Sequence, residues 1–174
     1  MTFICHAHPS NPIREGFYFT SEEEFESHFI PLSHAFGYRS CDFDIACIAG
    51  SPLDQAFAEA WQLTPDTIKP FFKALRAWDA YAKISFIIAV KHHHQSFDPK
   101  AVGSASFDIS LYFVKSHYEL ASYFVEHDVL GDMPMVMKAY VDLEAFARDL
   151  MREYTKTDIA GETVIYRLNE EVLS

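Results

Sequence analysis

Residues 130–150 read LGDMPMVMKAYVDLEAFARDL, a stretch that joins a regular amphipathic helix to a run of acids in an already acidic chain. From Asp142 the apolar positions Leu143, Phe146, Ala147, Leu150, Met151 and Tyr154 recur at i, i+3, i+4, i+7, i+8 and i+11. That spacing predicts one helical face turned to a core. Asp142 is the natural N-cap. Glu144 in the first turn and Arg152 near the last each sit where the helix dipole favours their charge.

Outward from this helix lie Ser116-His-Tyr-Glu-Leu-Ala-Ser-Tyr-Phe on one side and Val-Ile-Tyr-Arg-Leu at 164–168 on the other. Together with Gly131, Asp132, Pro134, Tyr140, Val141, Asp142, Glu144, Phe146, Ala147, Arg148, Asp149 and Leu150, they carry a resemblance to the C-terminal third of the ArdA antirestriction proteins. That family has a leucine-glycine-acid step, a proline, and then a tyrosine-(Ile/Val)-aspartate-x-glutamate-x-(Phe/Ile)-Ala-Arg-Asp-Leu string. Upstream, Gly16-Phe17-Tyr18-Phe19 before an acidic helix and the strand with Asp42, Phe43, Asp44 and Ile45 are similar to the family in outline.

Composition bounds the reading independently. A chain of 174 residues, 49% apolar with sixteen Phe, can bury a core by hydrophobic burial alone and is unlike a disordered acidic tail. No apolar run reaches the roughly 18 residues of a membrane span, and MTFICHAHPSNP at the start has no signal-like region. Three cysteines, Cys5, Cys41 and Cys47, are a sparse, odd set that suits a reducing cytoplasm.

The net charge of −11 is unevenly spread. Residues 1–60 hold nine acids and two bases, residues 61–110 four and six, and residues 111–174 twelve and six. Two acidic ends around a near-neutral middle argue against nucleic acid as a direct ligand, since phosphate contacts need clustered Lys and Arg. The middle bases Lys69, Lys73, Arg76, Lys83, Lys91 and Lys100 would interrupt an acidic track unless they face away from it.

The pattern of elements predicts an α+β chain, elongated and helix-rich, with three small modules in tandem and short strands: residues 1–62, 63–104 and 105–174. Phe17 to Phe19 reads as a strand. Ser21 and Glu24 fit a capping box for a helix over about 22–29, with Phe25 and Phe29 inward. Residues 41–48 read as a strand with Asp42 and Asp44 on one face and Phe43 and Ile45 on the other. Ser51-Pro52-Leu53-Asp54 and Thr64-Pro65-Asp66 open two helices, the first burying Phe57, Ala60 and Trp61, the second Ile68, Phe71, Phe72, Leu75 and Trp78. Asp79 begins a further helix through Val90, residues 95–106 form a loop, residues 107–114 a strand and 116–125 a helix.

Chemistry-bearing motifs are sparse. Cys5-His6-Ala7-His8 and His92-His93-His94 offer metal-ligand types, but no second cluster at matched spacing accompanies either. Alternating faces of a frayed strand and capping of helix carbonyls explain them more simply. There is no Gly-x-Ser-x-Gly, no Gly-x-x-x-x-Gly-Lys, no Gly-x-Gly-x-x-Gly and no His-Glu-x-x-His. The expectation is a protein with no catalysis, no cofactor and no metal.

An acidic surface can act as a decoy, because carboxylates spaced along a rigid protein draw on the same electrostatic attraction that holds B-DNA, with one charge per roughly 1.7 Å of axis, in a basic groove. The ArdA resemblance implies this activity: symmetric dimers of three modules that mimic bent B-DNA and occupy the DNA site of type I restriction-modification enzymes. It implies a bacterial cytoplasmic protein of a mobile element or phage. The expected partner-binding acids are Glu22, Glu23, Glu26, Asp42, Asp44, Asp54, Glu59, Glu119, Glu126, Asp128, Glu144 and Asp149. The resemblance further implies that Leu130, Gly131, Asp132 and Pro134 lie at or near a dimer contact, with Tyr140 and Phe146 as core or interface aromatics beside them. The alternative, from a different class, is an acidic adaptor or immunity-type protein that binds a basic partner without imitating DNA.

Overall fold

A computed structural model describes residues 2–11, 15–39, 42–99 and 107–169. The chain is α+β and divides into two compact units, Met1–Phe107 and Asp108–Ser174. The expected boundary between residues 62 and 63 therefore falls inside the first unit. The other expected boundary, at 104/105, lies outside the described residues.

The first unit is built on strands β1 (Ile4–Pro9), β2 (Phe17–Phe19) and β3 (Phe43–Ala49), in the order β2-β1-β3 with both pairings antiparallel. The N-terminal segment that reads as a frayed strand is thus the central one. Strand alternation turns Cys5, Ala7 and Pro9 inward and leaves His6 and His8 on the other face. Helix α1 (Glu22–Phe36) follows β2 and outruns the expected end near Phe29, passing through Pro31. Proline lacks an N–H but does not forbid the helical φ of its own position, and Gly37 in the left-handed conformation ends the helix. Ser21 caps it by accepting from the Glu24 N–H, yet the Glu24 carboxylate reaches back to the Thr20 N–H and hydroxyl at 2.7 and 2.8 Å, not to Ser21 as a capping box requires.

Helices α2 (Pro52–Trp61), α3 (Ile68–Ala77) and α4 (Ala80–Ile87) complete the unit. They start where the sequence places their caps: Ser51, the turn at Pro65–Thr67, and Asp79. A π-helical turn, Ile88–His92, extends α4. One aromatic core explains why no boundary follows residue 62. Phe57 and Trp61 of α2 lie 5.4 and 5.6 Å from Phe71 of α3 and each 5.3 Å from Phe86 of α4, ring centre to ring centre. Phe3 and Phe19, from the sheet side, reach Phe71 and Phe72. Each such pair adds about 0.5–1.5 kcal/mol beyond its buried area.

The second unit pairs strands β4 (Ile109–Tyr112), β5 (Thr155–Ile159) and β6 (Glu162–Leu168) in the antiparallel order β4-β6-β5. Ala160 and Gly161, both at positive φ, make the tight hairpin turn between β5 and β6. Helices α5 (His117–Glu126), α6 (Met135–Lys138) and α7 (Leu143–Glu153) complete the unit. Leu120, Ala121 and Phe124 of α5 form its core with Ala147 and Leu150 of α7, Tyr154 and Ile165. The predicted face of α7 is correct at Ala147, Leu150 and Tyr154, but Met151 is exposed. No described helix is long and apolar enough to cross a membrane.

Candidate protein-binding surface

Helix starts and ion pairs account for most of the expected acidic face. In the first unit Glu22 binds Lys69 at 2.8 Å, Asp54 binds Lys83 at 2.7 Å, and Glu59 binds Lys91 at 2.6 Å. Asp54 also accepts from the Ser51 hydroxyl, and the Glu22 side chain is only 14% accessible. Each of these three charges is neutralised by a base that the sequence places far away. Conversely, those three middle bases are spent on acids of the same unit and form no separate positive patch. Lys100 lies outside the described residues.

Asp42 falls just outside the strand expected to carry it. It precedes β3 and closes a turn, accepting from the Arg39 N–H at 2.7 Å while its own N–H donates back to the Arg39 carbonyl at 2.9 Å. Asp44 is exposed on β3 opposite His8. Glu23 and Glu26 are exposed on α1. The carboxyls of Glu23 and Glu24 are held below the ordinary range, the first by backbone N–H and Ser21 hydrogen bonds, the second by the Thr20 hydroxyl and N–H. The helix start therefore stays anionic at neutral pH. Among the described residues, Glu23, Glu26 and Asp44 take part in no ion pair within 4 Å.

In the second unit the expected acids are also partly committed. Glu119 accepts from the Lys115 N–H at 2.8 Å, ahead of a helix capped by Ser116. Glu126 accepts from the Ser122 hydroxyl, and Asp149 lies 3.6 Å from Arg152. Asp128 binds Lys138 at 2.9 Å and accepts from the Met133 N–H. The Lys138 ammonium and the Met133 N–H hold its carboxyl below the ordinary range. Glu144 is exposed and in no ion pair among the described residues.

The Asp128–Lys138 pair closes a surface loop with an apolar exterior. Val129, Leu130, Met135, Val136, Met137 and Tyr140 are all exposed, Met135 at 88%, Tyr140 at 85% and Leu130 at 68%. Gly131, at φ +111°, adopts a conformation that L side chains rarely enter. Six large apolar side chains in twelve residues are thus held on the surface beside a charged clasp. Five of the six expected contact residues, Leu130, Gly131, Asp132, Pro134 and Tyr140, are exposed here. Phe146 takes the core alternative: it is half-buried and packs against the core, 6.2 Å from Phe124.

The histidine readings resolve geometrically. Strand alternation places the Cys5 thiol and the His6 and His8 rings on opposite faces of β1. The His6 ring lies tilted by 40° against Tyr18, 4.6 Å between ring centres. His92 closes the π-helical turn with His93 and His94 just beyond it, and burial pushes the His93 pKa down. Among the described residues no group of three or more His, Cys, Asp or Glu is placed to hold a metal. The apolar loop carries no signal in hydrophobic period. Its only sequence signal is the density of Met, Val, Leu and Tyr between two turn-forming segments. Compared with known proteins, the chain matches no family model and no curated protein.

Proposed function

We propose that this chain is an ArdA-like antirestriction protein: a DNA-mimic inhibitor that occupies the DNA-binding groove of a type I restriction-modification enzyme, acting as a homodimer in a bacterial cytoplasm. The observation that carries the reading is the anionic start of α1, where Glu23 and Glu24 are held ionised by local hydrogen bonds and Glu26 stands exposed beside them. Fixed carboxylates on a rigid element are what a basic groove selects, because no side-chain ordering is needed at the moment of binding. Asp44 in the same unit and Glu144 in the other extend the set. The exposed apolar loop of residues 129–140 supports the dimer, since it coincides with the segment that the family resemblance implies for that contact. No catalytic step, cofactor or metal enters this function.

The ion pairs at Glu22, Asp54, Glu59 and Asp128 favour a second reading, an acidic adaptor that binds a basic protein away from any DNA groove. Neutralised acids shorten the track that could imitate a duplex. The deciding experiment displaces a labelled DNA duplex from a type I methyltransferase core with the purified protein at two salt concentrations. Displacement that weakens as salt rises supports the mimic. Binding without displacement supports the adaptor, and neither binding nor displacement removes both.

A further inference from the structure

Cys5 and Cys47 stand directly opposite each other across the antiparallel β1–β3 pair, and both are free thiols. Both face inward: Cys5 is fully buried and Cys47 half-buried. Directly opposed residues of an antiparallel pair have Cα atoms about 4.5–5.5 Å apart, inside the span of about 4.4–6.8 Å that a disulfide bridges. The register shifts between Ile4 and Cys5. Ile48 is the extra residue there, and it turns out to solvent. The Cys47 Sγ donates across this irregularity to the Ala49 carbonyl at 3.5 Å.

Behind Cys47 lies a cavity of about 490 Å³, lined by Ile45 and Cys47 of β3 and by Gln55, Ala58, Glu59 and Gln62 in and after α2. We infer that Cys5 and Cys47 are a disulfide-forming pair, with Cys47 receiving a small-molecule disulfide oxidant through this cavity and Cys5 resolving it. In the first step the Cys47 thiolate attacks one sulfur of the small disulfide, whose S–S bond breaks and whose other half leaves as a thiol carrying the proton that Cys47 lost. In the second, the Cys5 sulfur attacks the Cys47 Sγ, gives up its proton, and expels the second small thiol. The protein loses two protons and two electrons, and the small disulfide is reduced to two thiols.

The geometry of the cavity narrows the oxidant. The cavity is half-open, with Asp54 paired to Lys83 and Glu59 to Lys91 beside it, so it selects for a disulfide small enough to reach Cys47 rather than for a charge. Burial pushes the Cys5 thiol up to about 12 and raises that of Cys47 as well. Exchange is therefore slow at neutral pH and accelerates with the thiolate fraction, roughly tenfold per pH unit.

The test uses the full chain carrying Cys41→Ser, incubated with hydroxyethyl disulfide at several pH values, then quenched, unfolded, alkylated and digested. The expected result is one intramolecular Cys5–Cys47 linked peptide per chain, forming about ten times faster for each pH unit. A persistent mixed disulfide on Cys47 beside an alkylated Cys5, a link between two chains, or two alkylated thiols would overturn the inference. The protein carrying Cys41→Ser needs no further substitution for this readout, so loss of folding in a Cys5 or Cys47 variant does not enter it.

Discussion

Asp128 anchors a backbone N–H and an ammonium group with one carboxylate, and its protonation has a defined sign. A carboxyl whose folded pKa is depressed contributes stability fully above its unfolded value, and that contribution is lost as pH falls through the folded value. The amide resonance of Met133 is therefore expected to titrate with a midpoint below 3.8, the ordinary value for this carboxyl, and the midpoint should rise in Lys138→Met. An unchanged midpoint in that variant would remove Lys138 as the cause. Asp142 offers a separate check: its side chain accepts from the Ala145 N–H at 2.9 Å, so Asp142→Ala should lower stability by about 1 kcal/mol in a denaturant titration. The caps at Ser21, Ser51, Asp79 and Asp142 were legible in the sequence because a cap acts across three residues. The pairing of Lys83 with Asp54, 29 residues away, and of Lys91 with Glu59, 32 away, was not, because nothing local encodes a contact made by folding.

The loop over residues 129–140 presents its apolar side chains from backbone that is short of regular structure, apart from the single turn of α6. Tyr140→Asp and Met135→Asp replace exposed groups and should leave the melting temperature within a few degrees while converting a dimer to monomers in light scattering. Monomeric wild-type protein at the same concentration would remove the dimer from the proposal. Gly131 is a poorer probe, since any side chain there strains the backbone at φ +111° before it meets a partner. Elements with a strong local period, such as α2, α3 and α7, emerged at nearly their full length. By contrast, β1 looked like a loose end because its central place depends on two partners that arrive later in the chain. For β5, TKTDI, the sequence is too polar to announce a strand, and only its pairing with β6 makes one.

Across the first unit, the aromatic core ties α2, α3 and α4 together, so Phe86→Ala should destabilise by about 3–5 kcal/mol, read as one cooperative transition of residues 1–107. A fragment ending at residue 62 should show no cooperative unfolding, because Phe57 and Trp61 would lose Phe71 and Phe86. Charge reversal discriminates at the same level. Replacing Glu23, Glu26 and Asp44 with Lys should weaken binding to the methyltransferase core by more than tenfold at low salt, whereas Lys73→Glu should not weaken it. Glu22 is excluded from that set because its reversal would break the Lys69 pair and confound binding with folding. Equal effects from both sets of changes would remove the acidic-face reading.

The α+β class, the helix starts, the inward faces and the strong net negative charge follow from the sequence itself, since each rests on neighbours within one or two turns or on composition. Which acids remain as surface charge, where the unit boundary lies and which cysteines oppose each other were settled by tertiary structure. The physical reason is one of range: a carboxylate is neutralised, a core is shared and two thiols are aligned by residues tens of positions apart, and only the closed fold brings them within a few ångströms.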